Sequence, residues 1–517
     1  MMRNDPRKPA MWCPPQADGV PAVPAQDRRG AASSLPPQDS PAPAAFAAGP
    51  HAHAATRGLA LLTALSLLLL PLASCAVNQK KEVAQYRRLL DARIHAPRAY
   101  DPHALLTLNQ ALALANQNNE QISLRGEDYV QALIDKNRAV AAFLPTVSLQ
   151  PSYALRPSPG LGTLRTSQTD RRTQVPLVGN INLFRGFGDT ASLHAAEATI
   201  AQRRDLLLDL QATILLNVAQ TYYQVLRSQR QVSVLQDSLA LQQARVADIQ
   251  QHFAHGLATR LEVSQTQAQA DATAVSLIQA RNDVANGRHL LAFLIGVPAV
   301  DGPLRDSFTV PLQVPAVAVL QRQALTHRQD YLAAQAAVAA ARAQVDAAVA
   351  EYYPSVSFDA AAFLYPTWLA SPSQWNAVLQ ANLPIFSAGV IQADVRTAWS
   401  RLRQAALTAR QTRRQVQTDV QVAWRNLADN QKSLRQLANQ VAAAREAYSQ
   451  ARSSYDNGLA INLDVLTAQD QLLTAQLQLA SASFDRTVFY LDLVRATGRL
   501  VPTAQSPAPV AASQPAP

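Results

Sequence analysis

Short stretches of alternating apolar and polar residues occur in two pairs along the chain, at 146–152 and 174–184 and again at 356–360 and 376–383. Apolar residues recur at every second position, and Ser, Asn and Gln fill most of the positions between them. A period of two predicts a strand with one apolar and one polar face. Segments of about ten residues with this period are also typical of membrane barrels, whose apolar face meets lipid.

An Ala-rich helix is predicted before each pair of strands, over about 104–143 and 316–351. Each of these stretches is followed by a proline, Pro145 or Pro354. Proline removes a backbone donor and disfavours helical conformation in the residue before it. We therefore interpret the two prolines as the points of strand entry.

Two longer runs, at 190–254 and 390–457, contain neither Gly nor Pro and predict very long helices. At a rise of 1.5 Å per residue, each helix would extend for about 100 Å. Such lengths are far above the average for globular domains. Their Ala and Gln content allows the close packing that is typical of coiled coils.

A glycine follows each long run and is expected to reverse the chain, Gly256 in the first case and Gly458 in the second. Glycine readily adopts the left-handed conformation that a sharp turn after a helix needs. A shorter returning helix is then predicted over 261–295 and over 463–497. Each half of the chain therefore contains a pair of antiparallel helices.

These elements recur because the sequence repeats itself. Residues 139–148 align with 348–357, which lie 209 positions later, and 253–263 align with 455–465, which lie 202 positions later. The match predicts an internally duplicated fold. The predicted units are a first repeat, an inter-repeat linker and a second repeat, at 104–300, 301–315 and 316–500.

The residues before the first repeat are predicted to serve targeting. Residues 1–56 are rich in Pro, Ala and Gln without a hydrophobic period, which indicates a disordered extension or a misassigned start. Residues 57–75 have the features of a signal peptide, and its end, Leu-Ala-Ser-Cys, resembles a bacterial lipobox. That resemblance implies acylation of Cys75, and we predict no cofactor besides this covalent lipid. The other terminal segments are an N-terminal linker and a disordered Pro/Ala-rich tail, at 76–103 and 501–517.

Composition excludes several classes of protein. Of the 517 residues, 48% are hydrophobic and 16% are charged, which does not fit a disordered chain. The net charge is +10, but Lys and Arg are scattered along the predicted helices, so no nucleic-acid partner is expected. Two cysteines exclude a disulfide scaffold. No catalytic constellation or metal motif occurs, so we predict neither an enzyme nor a metal site.

Four strands per chain are too few to close a barrel. An open strand edge cannot lie in lipid, because its backbone groups would lack hydrogen-bond partners. The chains are therefore expected to associate. Three copies would supply twelve strands.

The repeated pattern Gly-Leu-Ala-x-x-Leu-[Asp/Glu]-Val, at 256–263 and 458–465, resembles the outer-membrane efflux protein (TolC-like) family. The strand-to-helix corner at 383–389, its looser copy at 183–186 and the helix start at 108–118 are similar to that family as well. The resemblance covers nearly all of the two repeats. Together with the lipobox, it favours the lipoprotein branch of the family.

The resemblance implies an α+β membrane protein whose trimer forms a twelve-stranded β-barrel in the bacterial outer membrane and a coiled-coil helical tunnel in the periplasm. Its expected partners are a periplasmic adaptor of the membrane-fusion class, an inner-membrane pump of the RND or ABC type, and outer-membrane lipid. The implied function is export of small molecules, such as drugs and toxic compounds, through this tunnel.

The same resemblance implies roles for the two helix reversals. Contact with the adaptor is expected at Gly256, Leu257, Ala258 and Thr259 in the first reversal and at Gly458, Leu459 and Ala460 in the second. Asp464 matches a position that forms a carboxylate ring at the tunnel aperture, and Glu262 is its counterpart in the first repeat. Ile461 departs from the family's hydroxyl residue, and Thr467 replaces a second acidic residue. The alternative is that these residues only turn and pack the chain and that both carboxylates are solvated.

Two other functions stay open at this stage. A related duct could serve type I-like protein secretion, and a lipid-anchored periplasmic coiled-coil tether would need no pore. The paired alternating strands favour a duct, because a tether has no use for them. A periplasmic adaptor is not favoured, because its lipoyl-like and barrel segments are not found between the helices.

Overall fold

The computed structural model describes residues 78–90, 100–158, 168–306, 308–311, 313–366 and 375–500. The predicted extension, signal peptide, lipidation site at Cys75 and C-terminal tail lie outside these residues. No helix in the described ranges combines the length and the apolar character needed to cross a membrane. One order of elements occurs twice: two short helices, antiparallel strands, a very long helix and a shorter returning helix.

The helices are α1 Gln79–Leu90, α2 Leu108–Asn118, α3 Glu120–Ala141, α4 Gly188–Ala254, α5 Arg260–Ile295, α6 Val317–His327, α7 Gln329–Ala350, α8 Val390–Asp456 and α9 Asn462–Ala496. The strands are β1 Leu106–Thr107, β2 Thr146–Leu149, β3 Ser152–Ser158, β4 Gln168–Arg185, β5 Leu304–Arg305, β6 Ser355–Pro366 and β7 Trp375–Asn382.

The two longest helices, α4 and α8, match the runs without Gly and Pro. Each has 67 residues, which corresponds to about 100 Å. The chain enters each helix through a residue with positive φ, Phe187 (67°) or Gly389 (83°). The returning helices α5 and α9 have 36 and 35 residues. The prediction of two long paired helices in each half is confirmed.

The Ala-rich stretches before the strands contain two helices each, so the prediction of a single helix there is wrong. The first pair meets at Asn119 (φ −69°, ψ 122°) and the second at Arg328 (φ −76°, ψ 121°), both with extended backbone. The Asn119 side chain accepts hydrogen bonds from the amides of Gln121 and Ile122. A side-chain cap therefore replaces the helical bonds that the break removes.

Strands β2, β4, β6 and β7 form one antiparallel sheet in that order, and β3 also pairs with β4. The predicted strand 146–152 is interrupted at Gln150 and Pro151, and β3 continues it along the same partner. Proline has no amide hydrogen to donate to the ladder, which accounts for the interruption. β4 is longer than predicted because it pairs with both β3 and β6. Each chain therefore provides four strand positions.

The register of the sheet collects apolar side chains on one face and polar side chains on the other. Phe358 pairs with Leu379 on the apolar face, whereas Ser357 pairs with Gln380 on the polar face. Directly paired residues point to the same side of an antiparallel sheet. The predicted alternation is thus confirmed, although both faces of β7 are exposed within a single chain.

The helices pack in two rows that share α4 and α8. Toward the sheet the order is α3–α4–α7–α8, and toward the reversals it is α5–α4–α9–α8. Helix α8 therefore lies at one edge of both rows, and α3 and α5 lie at the other. The largest hydrophobic core is built mainly from first-repeat helices. It includes Tyr222 and Tyr223, which are 0% and 1% exposed and pack as expected for residues inside a long helix.

The stretches predicted as linkers contain ordered elements that no sequence pattern indicated. Within 76–103, α1 buries Tyr86 and Leu90 in the largest core. Within 301–315, β5 pairs in parallel with β1. The Tyr222 hydroxyl hydrogen-bonds to the backbone of both strands of this pair, and burial raises the pKa of Tyr222 to about 12. These contacts attach both segments to the first repeat.

Candidate docking and aperture site at the helix reversals

Both helix reversals depend on a glycine with positive φ, Gly256 (74°) and Gly458 (73°). A Cβ atom at either position would meet no atom within 4 Å, so backbone conformation alone favours glycine. The next amides, of Leu257 and Leu459, donate to the carbonyl five residues earlier at 2.8 and 2.7 Å. These bonds are typical of the Schellman motif, which satisfies free carbonyls at a helix end. The two reversals therefore share one geometry.

The side chains at the reversals are apolar and largely exposed. Leu257 is 76% exposed, Leu459 is 82% exposed and Ile461 is 62% exposed. Ala258 and Ala460 are half-buried beside them. The structure thus brings the predicted docking residues together as one small apolar surface at each reversal.

Glu262, a predicted aperture residue, belongs to a capping box at the start of α5. Its carboxylate accepts hydrogen bonds from the Thr259 amide at 2.6 Å and from the Thr259 hydroxyl at 2.9 Å. The Thr259 hydroxyl in turn accepts from the Glu262 amide at 3.2 Å. The spacing Thr-x-x-Glu at a helix start is the sequence signal for this arrangement. Both residues therefore have a structural role at the first reversal.

Asp464 occupies the same position at the start of α9, three residues after Ile461. Its Oδ2 accepts from the Ile461 amide at 3.2 Å. Ile461 has no hydroxyl, so the reciprocal side-chain bond of the first reversal is missing here. Asp464 is also exposed. Of the two aperture candidates, Asp464 therefore makes fewer hydrogen bonds to the start of its own helix.

A buried polar network that no sequence pattern predicted connects the two reversals. The Arg245 guanidinium on α4 lies 4.1 Å from the ring centroid of Tyr455 on α8 and donates to the side-chain oxygen of Asn462 on α9 at 3.3 Å. The Asn462 amide donates to the hydroxyl of Thr266 on α5 at 2.9 Å. One side chain from each of four helices thus fixes the two helix ends relative to each other. Arg245 is one of five arginines in its 67-residue helix, and nothing in the sequence marks it for this role.

Charge in this network is balanced locally. The Arg245 side chain is 9% exposed, and its guanidinium also donates to Asp248 at 3.0 Å. Burial raises the pKa of Tyr455, so its ring is neutral at physiological pH. A neutral aromatic face attracts a cation that lies over it. The network can therefore keep a charged guanidinium away from solvent.

The remaining predicted residues lie elsewhere. Pro145 and Pro354 stand directly before β2 and β6, at the sheet end of the helices. Cys75 is not among the described residues. Across the ranges that the structure describes, no three His, Cys, Asp or Glu side chains are grouped so that they could hold a metal ion.

Fold and site together define a class of protein. A sheet with one apolar and one polar face continues into helices of about 100 Å that end in small apolar reversals. The chain belongs to the outer membrane efflux protein family, which matches residues 111–297 and 320–499. The resemblance seen in the sequence is thereby confirmed, and the family consists of transport proteins of the outer membrane.

Several known proteins are similar to this chain. Cation efflux system protein CusC of Escherichia coli strain K12 is 26% identical over 291 residues, which cover 54% of this chain and 63% of CusC. Outer membrane efflux protein BepC of Brucella suis biovar 1 is 29% identical over 403 residues, covering 76% of this chain and 86% of BepC. The crystal structure of VceC from Vibrio cholerae matches with a TM-score of 0.67 at 22% identity, covering 76% of this chain and 96% of VceC. The likeness to VceC concerns the fold.

Proposed function

We propose that this chain is the outer-membrane channel of a tripartite efflux system and that three copies form the channel. The sheet carries the proposal: it has one apolar face, one polar face and, among the described residues, unpaired edges at β2–β3 and β7. Three such sheets joined edge to edge supply twelve strands, and closure removes the edges that lipid cannot satisfy. The apolar face then meets lipid and the polar face lines the lumen.

The long helices of three copies would continue the barrel as a tunnel into the periplasm. Transport through a duct needs a polar lumen, an aperture and a docking surface, but no bond-making groups. Three copies of Asp464 around the tunnel axis would attract cations and oppose the passage of anions. Glu262 would contribute less, because its carboxylate accepts two hydrogen bonds from Thr259.

The proposed partners follow from the two ends of the molecule. A periplasmic adaptor of the membrane-fusion class would pack on the exposed leucines of the reversals and connect the channel to an inner-membrane pump of the RND or ABC type. Acyl chains on Cys75 would add a lipid anchor in the outer membrane. We propose small toxic molecules as the cargo; that the chain takes part in efflux is supported by its similarity to CusC, a cation efflux system protein, and to BepC, an outer membrane efflux protein.

Purified from outer membranes, the protein is expected to migrate as a heat-modifiable trimer on gels and to conduct ions in planar lipid bilayers. Cells that lack it are expected to become more sensitive to toxic small molecules, and the wild-type chain should restore their resistance. A lipid-anchored tether would give neither a detergent-resistant trimer nor conductance. Absence of both from correctly localised protein would therefore contradict the proposal.

Asp464→Asn is expected to increase single-channel conductance or to weaken block by divalent cations, because it removes three carboxylates from the aperture. Asparagine keeps a side-chain oxygen for the Ile461 amide, so the helix start is preserved. Asp283→Asn, on an exposed site of α5, is the matched control for loss of a carboxylate elsewhere. If conductance and block are the same in Asp464→Asn and in the wild type, Asp464 does not line the aperture.

A further inference from the structure

A cavity of about 520 Å³ opens on the polar face of the sheet, at the point where the strands meet the long helices. Arg185, Ser355 and Asn382, which lie opposite one another on β4, β6 and β7, form the wall nearest the sheet. Directly paired residues point to the same side of an antiparallel sheet, and Ser355 stands two residues before Ser357 on the polar face. In the proposed trimer this face lines the lumen. Each chain would therefore contribute one cavity to the duct, where the barrel continues into the tunnel.

Helix faces form the other walls of the cavity. The residues of α7 and α8 that line it have the i, i+3, i+4, i+7 spacing of a single helix face, from Gln344 to Glu351 and from Asp394 to Arg401. The two middle positions on α7 are Ala347 and Ala348, and the first turn of α4 lies on the opposite side of α7 from α8. Alanine side chains are too short to fill the space between α4 and α8. The cavity thus results from a floor of small residues on α7.

The first repeat does not provide a matching floor. With the offset of 209 positions, Ala347 corresponds to Arg138 and Glu351 corresponds to Ala142. The Arg138 side chain is 77% exposed and pairs with Asp135 at 2.7 Å. The matching face of α3 therefore carries a long cationic side chain in place of an alanine and lacks the carboxylate of Glu351. The cavity is thus a feature of the second repeat and is not a by-product of the duplicated architecture.

The cavity contains charged groups that the described part of the chain does not neutralise. Arg185 pairs with Asp189 at 3.3 Å, so this arginine is already balanced. No ion pair within the described ranges includes Glu351, Asp394 or Arg401, and all three residues are exposed. Two carboxylates and one guanidinium are therefore available to a molecule that enters the cavity.

These charges are separated along the cavity. Helix α7 ends and α8 begins at the sheet, so Glu351 and Asp394 lie toward the sheet, whereas Arg401 lies about 10 Å further along α8 than Asp394. Tyr353, which is 53% exposed, lines the cavity near Glu351, and its ring can attract a cation. A guanidinium binds a carboxylate through two parallel hydrogen bonds. One end of the cavity therefore suits a cationic amine and the other end suits a carboxylate.

We propose that this cavity transiently binds zwitterionic small molecules on their way through the duct, with the protonated amine at Glu351 and Asp394 and the carboxylate at Arg401. Its volume lies within the range of about 300–1,000 Å³ that is typical of small-molecule sites. Each contact is weak because the charged side chains are exposed. Weak contacts allow the release that conduction requires. This inference rests on the proposed function and specifies a class of cargo for it.

The test is single-channel recording in planar bilayers with ciprofloxacin, a quinolone that carries both a protonated amine and a carboxylate at neutral pH. The wild-type channel is expected to show brief blocks. Glu351→Gln and Arg401→Gln should each shorten the mean block time about two- to fivefold, the effect of losing one exposed ion pair. Nalidixic acid, a quinolone without the amine, should respond to Arg401→Gln but not to Glu351→Gln. The methyl ester of ciprofloxacin, which lacks the carboxylate, should respond in the opposite way.

Two control variants remove the same kinds of charge outside the cavity. Asp359→Asn removes a carboxylate from the polar face of β6, about 13 Å along the strand from Ser355. That distance exceeds the Debye length of about 8 Å at 0.15 M salt. Arg425→Gln removes an exposed arginine of α8, about 36 Å further along the helix than Arg401. Both controls should keep the wild-type block time. Equal shortening by the controls would show that the general charge of the lumen, and not the cavity, holds the molecule.

Ala347→Leu tests the cavity without changing any charge. Leucine fills part of the floor, so the blocks by all three compounds should become shorter while the channel still conducts. If the wild type conducts but ciprofloxacin causes no block, or if the block time is the same in the wild type and in the cavity variants, the inference is wrong while the proposed function stands. If the wild type does not conduct, the proposed function fails and this inference fails with it.

Discussion

Replacing Arg328 by methionine is expected to lower the free energy of unfolding by about 3–5 kcal/mol, the range for removing one partner of a buried ion pair. The Arg328 side chain is 5% exposed and lies 2.9 Å from Asp330 and 2.6 Å from Asp419. Methionine approximates its volume but leaves both carboxylates without their cation. Because Asp419 belongs to α8, the substitution also removes a link between the α6–α7 junction and that helix.

Denaturant unfolding in detergent, followed by circular dichroism, measures this loss. Arg322→Met is the matched control, because Arg322 is an exposed arginine on α6, close to the same junction. Surface substitutions of this kind usually change stability by less than about 0.5 kcal/mol. Equal stability of the two variants would show that the ion pairs of Arg328 contribute nothing net.

The second large loss of stability is expected for Gly498→Ala, which should lower the free energy of unfolding by about 2–5 kcal/mol. Gly498 has φ 73°, and a Cβ atom there would lie 2.6 Å from the backbone carbonyl of His327. The substitution therefore combines left-handed strain with overpacking against backbone that cannot move aside easily. Gly296, its counterpart in the first repeat, is crowded in the same way by Asn118, where a Cβ would lie 2.7 Å from the Asn118 side chain.

Gly458→Ala separates the two causes. Gly458 has the same φ of 73°, but a Cβ atom there would meet nothing within 4 Å. Gly458→Ala should therefore lower the free energy of unfolding only by the left-handed strain, about 1–2 kcal/mol. The same unfolding measurement compares the two variants. If Gly458→Ala destabilises as much as Gly498→Ala, the contact with His327 does not determine the need for glycine.

Much of the fold could be predicted because it depends on local signals. Runs without Gly and Pro predicted α4 and α8, and the period of two predicted the faces of the sheet. The helix breaks at Asn119 and Arg328 could not be predicted in this way. Arg328 adopts extended backbone while its guanidinium is held by Asp419, which is distant in sequence. Only the packed structure brings these two residues together.

In the candidate site, too, the features set by local sequence can be predicted, and those set by tertiary packing cannot. The glycines of the reversals and the Thr259-x-x-Glu262 spacing are local patterns, so their conformation can be predicted from the sequence. The contact of Arg245 with Tyr455 and Asn462 joins three helices that only tertiary packing aligns. A sequence pattern therefore locates the reversals but does not show what holds them together.

The exposed apolar face of the sheet has a consequence for the time a newly exported chain spends alone. Within one chain every residue of β7 is exposed, including Trp375 and Leu379 at 69% and 66%. Unpaired edges and exposed apolar strands also promote aggregation. In water, a solitary chain can either associate correctly with other copies or aggregate irreversibly. The relative rates of these two processes decide its fate. Efficient biogenesis then requires membrane insertion to be faster than random collision, or a chaperone that shields this face during transit.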